Sequence, residues 1–265
     1  MHKIEGNKII FDNDGIFKLL SPIEFGGHSN IYKLKIDGII YAVKKYNWNY
    51  NEDEKSIENK ISINIDSYIT PQKLLYIGNK FEGYIMKFCK GKDLEKRRLN
   101  ISVSEFAEST VKLMEDTDKL SKLKYNIFDS FITNVMYDDG FKMIDTDDYP
   151  YVQELSLNII KQENTKRLNQ MLCEIFIKNA GLANLYFGNV EFKKMMKKCE
   201  DGDILFEELF NSLCTRAYNI ADRELENINE VGKVLLKSKK IWYKKPIMWY
   251  NTNGFLNYTS IDLYV

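Results

Sequence analysis

The chain has 265 residues, 44% of them apolar and 29% charged, with 38 basic and 38 acidic side chains and no net charge. That composition is ordinary for a globular protein, and the balance gives no overall pull toward nucleic acid or an anionic membrane. Four scattered cysteines (Cys89, Cys173, Cys199 and Cys214) without a C-x-x-C pair, and only His2 and His28 beside them, argue against structural zinc and against a Ser-His-Asp or Cys-His hydrolase.

The first twenty residues mix Lys3, Glu5, Lys8, Asp12 and Asp14 with short apolar pairs, so no secretory signal is expected. No run reaches the ~18–20 apolar residues of a membrane helix. A cytoplasmic location is the expectation, with neither nucleic acid nor membrane as partner; delivery elsewhere as an effector stays open. Strands are predicted at 17–23, 30–36 and 39–45, punctuated by Gly26-Gly27 and by the two-residue hairpin signal Asp37-Gly38. Ile57, Ile61 and Ile65 recur at four-residue spacing and predict a helix over 51–65, closed by Pro71. Two further strands follow at 74–77 and 82–88, giving an antiparallel N-terminal sheet with one helix.

After Gly91 the pattern turns helical. Ser102-Val103-Ser104-Glu105 is a capping box that starts an amphipathic helix running to Leu120. An irregular segment at 125–134 leads into a hairpin at 135–144. Helices are predicted at 162–179, 190–198, 204–218 and 223–239, and the aromatic tail 240–265 takes no assignment, although its Trp242, Trp249 and Tyr250 suit core packing.

Four segments carry chemistry. Gly26-Gly27-His28-Ser29-Asn30-Ile31-Tyr32 lies between two strands, where glycine lets backbone amides approach an anion. In Tyr41-Ala42-Val43-Lys44, alternation aims Ala42 and Lys44 at one face while Lys45 faces solvent, and a helical carboxylate, Glu58 ahead of Glu54, is expected to hold Lys44. Asp129-Ser130-Phe131-Ile132-Thr133-Asn134 is irregular. Met143-Ile144-Asp145-Thr146-Asp147 ends an apolar strand with a carboxylate, and the hairpin is expected to bring Asn134 and Asp145 together as oxygen ligands suited to Mg²⁺.

In this order the segments resemble the protein kinase family: a Gly-rich loop, an A-V-K strand lysine, a D-x-x-x-x-N loop and a D-T-D in the D-F-G position. Residues 84–94 look like a kinase hinge followed by its short helix. The resemblance covers about 17–150 and implies a single α+β domain of bilobal, protein kinase-like fold. Its N-lobe would span about 1–88, its hinge 87–91 and its mostly helical C-lobe 92–265. It also implies that Gly26, Gly27, Ser29 and Ile31 cover ATP, that Ala42 roofs the adenine with Met86 at the gate, and that the backbone from Lys87 to Cys89 meets the adenine edge. Lys44, oriented by Glu58, would hold the α/β-phosphates, Asn134 and Asp145 would hold Mg²⁺ or Mn²⁺, and Asp129 would accept the substrate proton. The chain departs from the family pattern at several points. Glu24 and Ser29 stand in outer glycine positions, Ile127-Phe128 replaces His-Arg, Phe131 replaces a lysine, and no A-P-E follows Asp145. The activity implied is an atypical, bacterial-type Ser/Thr protein kinase. Alternatives are a small-molecule phosphotransferase of the aminoglycoside or choline kinase kind and a nucleotide-binding pseudokinase that serves as an interaction module.

Overall fold

A computed structural model describes residues 2–12, 16, 20–47, 53–96, 98–129 and 131–238. The start of the strand predicted at 17–23, the first residues of the helix predicted at 51–65, the end of the last predicted helix and the tail with Trp242, Trp249 and Tyr250 lie outside the described residues. The chain is a mixed α/β protein with an N-terminal sheet and a helical C-terminal part. Its described residues fall into two compact units, drawn from Met1–Gly91 with Lys142–Asp148 and from Lys92–Phe141 with Tyr149–Val265. Residues 142–148, which the sequence places in the second lobe, therefore belong to the first unit.

The first unit is built on strands β1 (His2–Glu5), β2 (Lys8–Phe11), β3 (Leu20–Phe25), β4 (Ser29–Ile36), β5 (Ile39–Tyr46), β6 (Pro71–Ile77) and β7 (Lys80–Lys87), with helix α1 (Glu54–Lys60) before β6. They form one seven-stranded sheet in the order β1-β2-β6-β7-β5-β4-β3. The sheet is mixed rather than antiparallel, because β2 pairs parallel with β6. Pro71 opens β6 instead of closing the preceding segment, a position where its missing N–H costs the ladder nothing. Alternation divides the sheet between two apolar clusters. Val43 and Ile85 face one with Phe11, Leu34 and Leu75, while Ala42, Tyr84 and Met86 face the other with Ile57 of α1. Lys45 is not a solvent-facing lysine; it is mostly covered and pairs with Glu82 at 3.0 Å.

The helix α1 is only seven residues long, capped by Asp53 and finished at Lys60. Its inward side therefore carries Ile57 and Lys60, one turn apart, and the next residue after Ile57 points outward. Glu58 is exposed for that reason.

The second unit holds β8 (Lys92–Asp93), α2 (Val103–Lys122), β9 (Val135–Tyr137), α3 (Leu157–Ala180), α4 (Ala183–Gly188), α5 (Val190–Glu200), α6 (Phe206–Ala221) and α7 (Ile228–Lys237). Strand β10 (Phe141–Met143) carries the chain from this unit back into the first. Where a short helix is expected after residue 91, Lys92 and Asp93 pair antiparallel with β9, and no helix forms there among the described residues. The Ser102–Glu105 capping box forms with both of its reciprocal bonds. Helix α3 starts earlier than its apolar pattern suggests, because the Ser156 side chain accepts from the Ile159 amide and caps it there.

Three buried asparagines tie loops to α3. Asn164 accepts from the Ile127 amide at 2.7 Å and donates to Ser121 Oγ and the Tyr125 carbonyl at 2.9 Å. Asn169 donates to the carbonyls of Cys199 and Ile204 at 3.0 Å and accepts from the Phe206 amide at 3.2 Å. Asn179 accepts from the Leu99 amide at 2.7 Å. Asn169→Leu keeps the branching of the side chain but strips a partner from three backbone groups, so a loss of at least about 2 kcal/mol is expected in urea unfolding.

Gly83 sets the spacing of β5 and β7. Its φ is +146°, and a Cβ there would lie 2.0 Å from the Lys44 carbonyl oxygen. Gly83→Ala must push the strands apart beside Lys44, and an unfolding midpoint lowered by about 1–3 kcal/mol equivalent is the expected result.

Candidate functional site

Lys44 is the sixth residue of β5, on the same face as Ala42. On β4 its register partner is Ile31, and on β7 it is Tyr84, while Ala42 stands opposite Met86. The sheet thus gathers Ile31, Ala42, Lys44 and Met86 from the sequence prediction around one part of one face. Lys87 ends β7 exposed, and Cys89 lies half-buried in the segment that follows.

The returning segment 142–148 supplies the counter-charge. Its path is fixed by the edge of residues 67–69: the Met143 amide donates to the Ser67 carbonyl at 2.7 Å and the Ile69 amide to the Met143 carbonyl at 2.8 Å. Thr146 Oγ1 then donates to the Ile69 carbonyl at 2.9 Å. Asp145, between them, takes a left-handed backbone with φ +59°, which aspartate tolerates better than most residues. The turn brings both Asp145 and Asp147 to one ammonium. Lys44 Nζ contacts Asp145 Oδ1 and donates to Asp147 Oδ1 and Oδ2 at 2.9 Å each. Tyr84 OH donates to Asp147 Oδ1 at 2.8 Å, and Lys60 Nζ reaches from α1 to the Asp147 carbonyl and to Ser56 Oγ.

Burial separates the two acids. The Asp147 side chain is 2% exposed and the Lys44 side chain 9%, whereas Asp145 keeps 40%. Burial alone would push Asp147 up, but the Lys44 ammonium and hydrogen bonds from Lys44 and Tyr84 outweigh it and hold its carboxyl below the usual value. Asp145 is raised, by burial and by the neighbouring Asp147 charge, against the pull of Lys44. Burial disfavours the Lys44 ammonium, yet Asp147 and Asp145 together hold its pKa above that of an ordinary lysine. The Tyr84 phenol is raised well above its ordinary value by burial and then by Asp147. The arrangement can present a fixed cation and one accessible carboxylate to an anionic or metal-bearing ligand.

The carboxylate expected from α1 is absent from this cluster. Glu58 faces solvent, and Glu54 accepts from Tyr76 OH and Lys8 instead. The sequence singles out neither Asp147 nor Tyr84 as a partner of Lys44. The signal available was the charge of Lys44 on an apolar face, which must find acids, and a second acid two residues after Asp145.

The Gly26-Gly27 segment forms a turn closed by its own backbone and by Asn47. The Gly26 amide donates to the Ser29 carbonyl at 2.9 Å. Asn47 Nδ2 donates to the carbonyls of Gly26 and Gly27 at 3.0 and 2.8 Å, and Asn47 Oδ1 accepts from Asn30. Asn47 is a residue the sequence reading missed.

In the second unit, Asp129 and Asn134 are joined as expected of one loop. Asp129 has a left-handed backbone with φ +55°. Asn134 Nδ2 donates to the Asp129 carbonyl at 2.9 Å and to Asp129 Oδ2 at 3.4 Å, across a turn closed by the Phe131 and Asn134 amides. Asn164 fixes the approach to this loop at Ile127. Phe128 and Phe131 beside Asp129 are exposed.

No family model and no curated protein matches the chain. Among the described residues no helix is long and apolar enough to cross a membrane, and no group of three or more His, Cys, Asp or Glu side chains is placed to hold a metal.

Replacing Lys44 by methionine tests the electrostatics of the cluster. Without the ammonium, burial and mutual repulsion push both carboxyl groups above the 3.8 of a free aspartate. A carboxyl raised in the folded state stabilises most below its unfolded pKa, and loses that effect as pH rises through the folded one. Wild-type Asp147 has the opposite sign, contributing fully above 3.8 and losing its contribution as pH falls. The melting-temperature gap between wild type and Lys44→Met is therefore expected to narrow from about pH 8 to about pH 5. A gap independent of pH in calorimetry would disprove the coupling.

Proposed function

We propose that the chain is an ATP- and Mg²⁺-dependent phosphotransferase acting on hydroxyl groups, with protein serine and threonine as its first acceptors. The observation that carries this reading is the buried Lys44 ammonium held against Asp145 and Asp147, on a sheet face shared with Ala42, Ile31 and Met86. Lys44 supplies a fixed positive charge for phosphate oxygens, next to small and apolar side chains suited to a purine. The order of Lys44, Asp129, Asn134 and Asp145 along the chain, resembling that of protein kinases, adds to it.

A metal fits the chemistry of these side chains. Asp145 is the partly exposed carboxylate of its pair and a hard donor, and Mg²⁺ accepts few protein ligands when phosphates and waters complete its shell. In this proposal Asp145 would hold the ion, which when bound would neutralise phosphate charge. Lys44 binds the phosphates and holds the leaving group's negative charge. Asp129 takes the proton of the acceptor hydroxyl while the acceptor oxygen bonds to the γ-phosphorus and the bond to ADP breaks.

A second reading, transfer to a small hydroxyl compound, is favoured by one observation. Helix α3 begins at Leu157, soon after Asp145, and leaves little chain for a peptide platform.

With Mg-ATP at about 100 times its dissociation constant, the fold should gain ~2.7 kcal/mol. That gain should vanish in Asp145→Ala. Radiolabel from γ-labelled ATP should pass to protein or to a small alcohol, which separates the two acceptor classes. Asp129→Ala should slow transfer by about 10²–10⁴ with binding kept. No thermal shift with ATP would sink the proposal; binding without transfer or hydrolysis, unaffected by Asp129→Ala, would leave a pseudokinase.

A further inference from the structure

We propose that Asp147 is the positioning residue of Lys44, in the place that the kinase resemblance gives to the helix acid Glu58. The phosphate-binding lysine is then set by the acidic segment 145–147 and not by a carboxylate of α1. This rests on the nucleotide reading above for the lysine's role, but the choice of partner stands on geometry alone.

Asp147 meets Lys44 with both carboxylate oxygens at 2.9 Å and is held from the other side by Tyr84 OH at 2.8 Å. Thr146, just before it, is tied to the Ile69 carbonyl. Asp147 is therefore anchored through its side chain, its backbone and its neighbour. Helix α1 contributes the reverse of what a lysine-orienting helix supplies: its buried inward residue is a cation, Lys60, bound to the Asp147 carbonyl. Its two candidate acids are turned to solvent or committed to Tyr76 and Lys8. A bidentate acid leaves Lys44 one direction, now taken by Asp145, in which to meet an incoming phosphate. Displacing the half-exposed Asp145 contact, and keeping the buried Asp147 one, lets the ammonium bind a ligand without swinging.

Two double-mutant cycles in nucleotide-free protein test the partner directly. Lys44→Met with Asp147→Asn should be non-additive in the unfolding constant by about tenfold or more, and Lys44→Met with Glu58→Gln additive within about twofold. Tyr84→Phe, a milder change, keeps the test open where Asp147→Asn does not fold, and should also couple to Lys44→Met. Calorimetric titration with ATP, without metal, then reads the ligand. The dissociation constant should rise about tenfold in Asp147→Asn, about threefold in Tyr84→Phe and less than twofold in Glu58→Gln. A Glu58→Gln loss of tenfold or more, or coupling of Lys44 to Glu58 in place of Asp147, would overturn the assignment. Absence of ATP binding by the wild type defeats the phosphotransfer reading instead, while the cycles still decide which acid holds Lys44.

Discussion

An ammonium group taken out of water must be repaid by carboxylates at hydrogen-bond distance, or it gives up its proton. Lys44 sits at the centre of the first unit under that constraint, and the surrounding backbone is arranged to meet it. The central strands set its direction, since alternation along β5 puts it on the face of Ala42 and Tyr46. The close approach of β7 at Gly83 sets its height, and the left-handed turn at Asp145 draws onto one ammonium two acids that a straight strand would hold ~6–7 Å apart on one face. Tyr84 adds a neutral donor to Oδ1 of the more deeply buried acid, beside the bond that oxygen accepts from Lys44.

Two carboxylates around one ammonium do not share it equally. Asp147, nearly sealed from solvent and doubly bonded to Lys44, is the acid whose charge the cluster depends on; Asp145, with more water beside it and a neighbouring negative charge, is the one free to change partner. That asymmetry separates a structural carboxylate from a ligand-facing one within three residues. It follows from burial and hydrogen bonding together and needs no assumption about what binds.

The strands with strong local signals were legible. Asp37-Gly38 marks the β4–β5 hairpin and Ser102 with Glu105 marks the start of α2, because each signal is satisfied within a few residues. Lys44 was legible for the same reason, through alternation along a single strand. What escaped depends on distant chain. Strands β1 and β2 are four residues each, and β2 finds its partner in β6, more than sixty positions on. The isoleucines at 57, 61 and 65 suggest a long helix, yet α1 ends at Lys60, and the phase that buries Ile57 and Lys60 turns Glu58 outward. Asp147 looks like part of an acidic turn, and its burial is decided by residues 67–69 and by Tyr84. Buried asparagines such as Asn164 are equally silent in sequence, since only the loops that reach them require an amide there.

A buried ion pair is poor evidence of a need for stability. Well-packed apolar residues of similar volume generally hold such a space as well or better, because the desolvation of both charges is avoided. The face of the sheet that carries Lys44 is otherwise built of side chains such as Ala42, Ile57, Leu74 and Met86, so methionine or leucine would fit the composition of that face. Four ionisable side chains, Lys44, Tyr84, Asp145 and Asp147, are gathered there instead, and one of them remains open to solvent. Stability does not account for an acid kept half-exposed beside a charged lysine. The proposed phosphate ligand would account for this division: a lysine fixed from behind by a sealed carboxylate, with a second carboxylate in front that can yield its place.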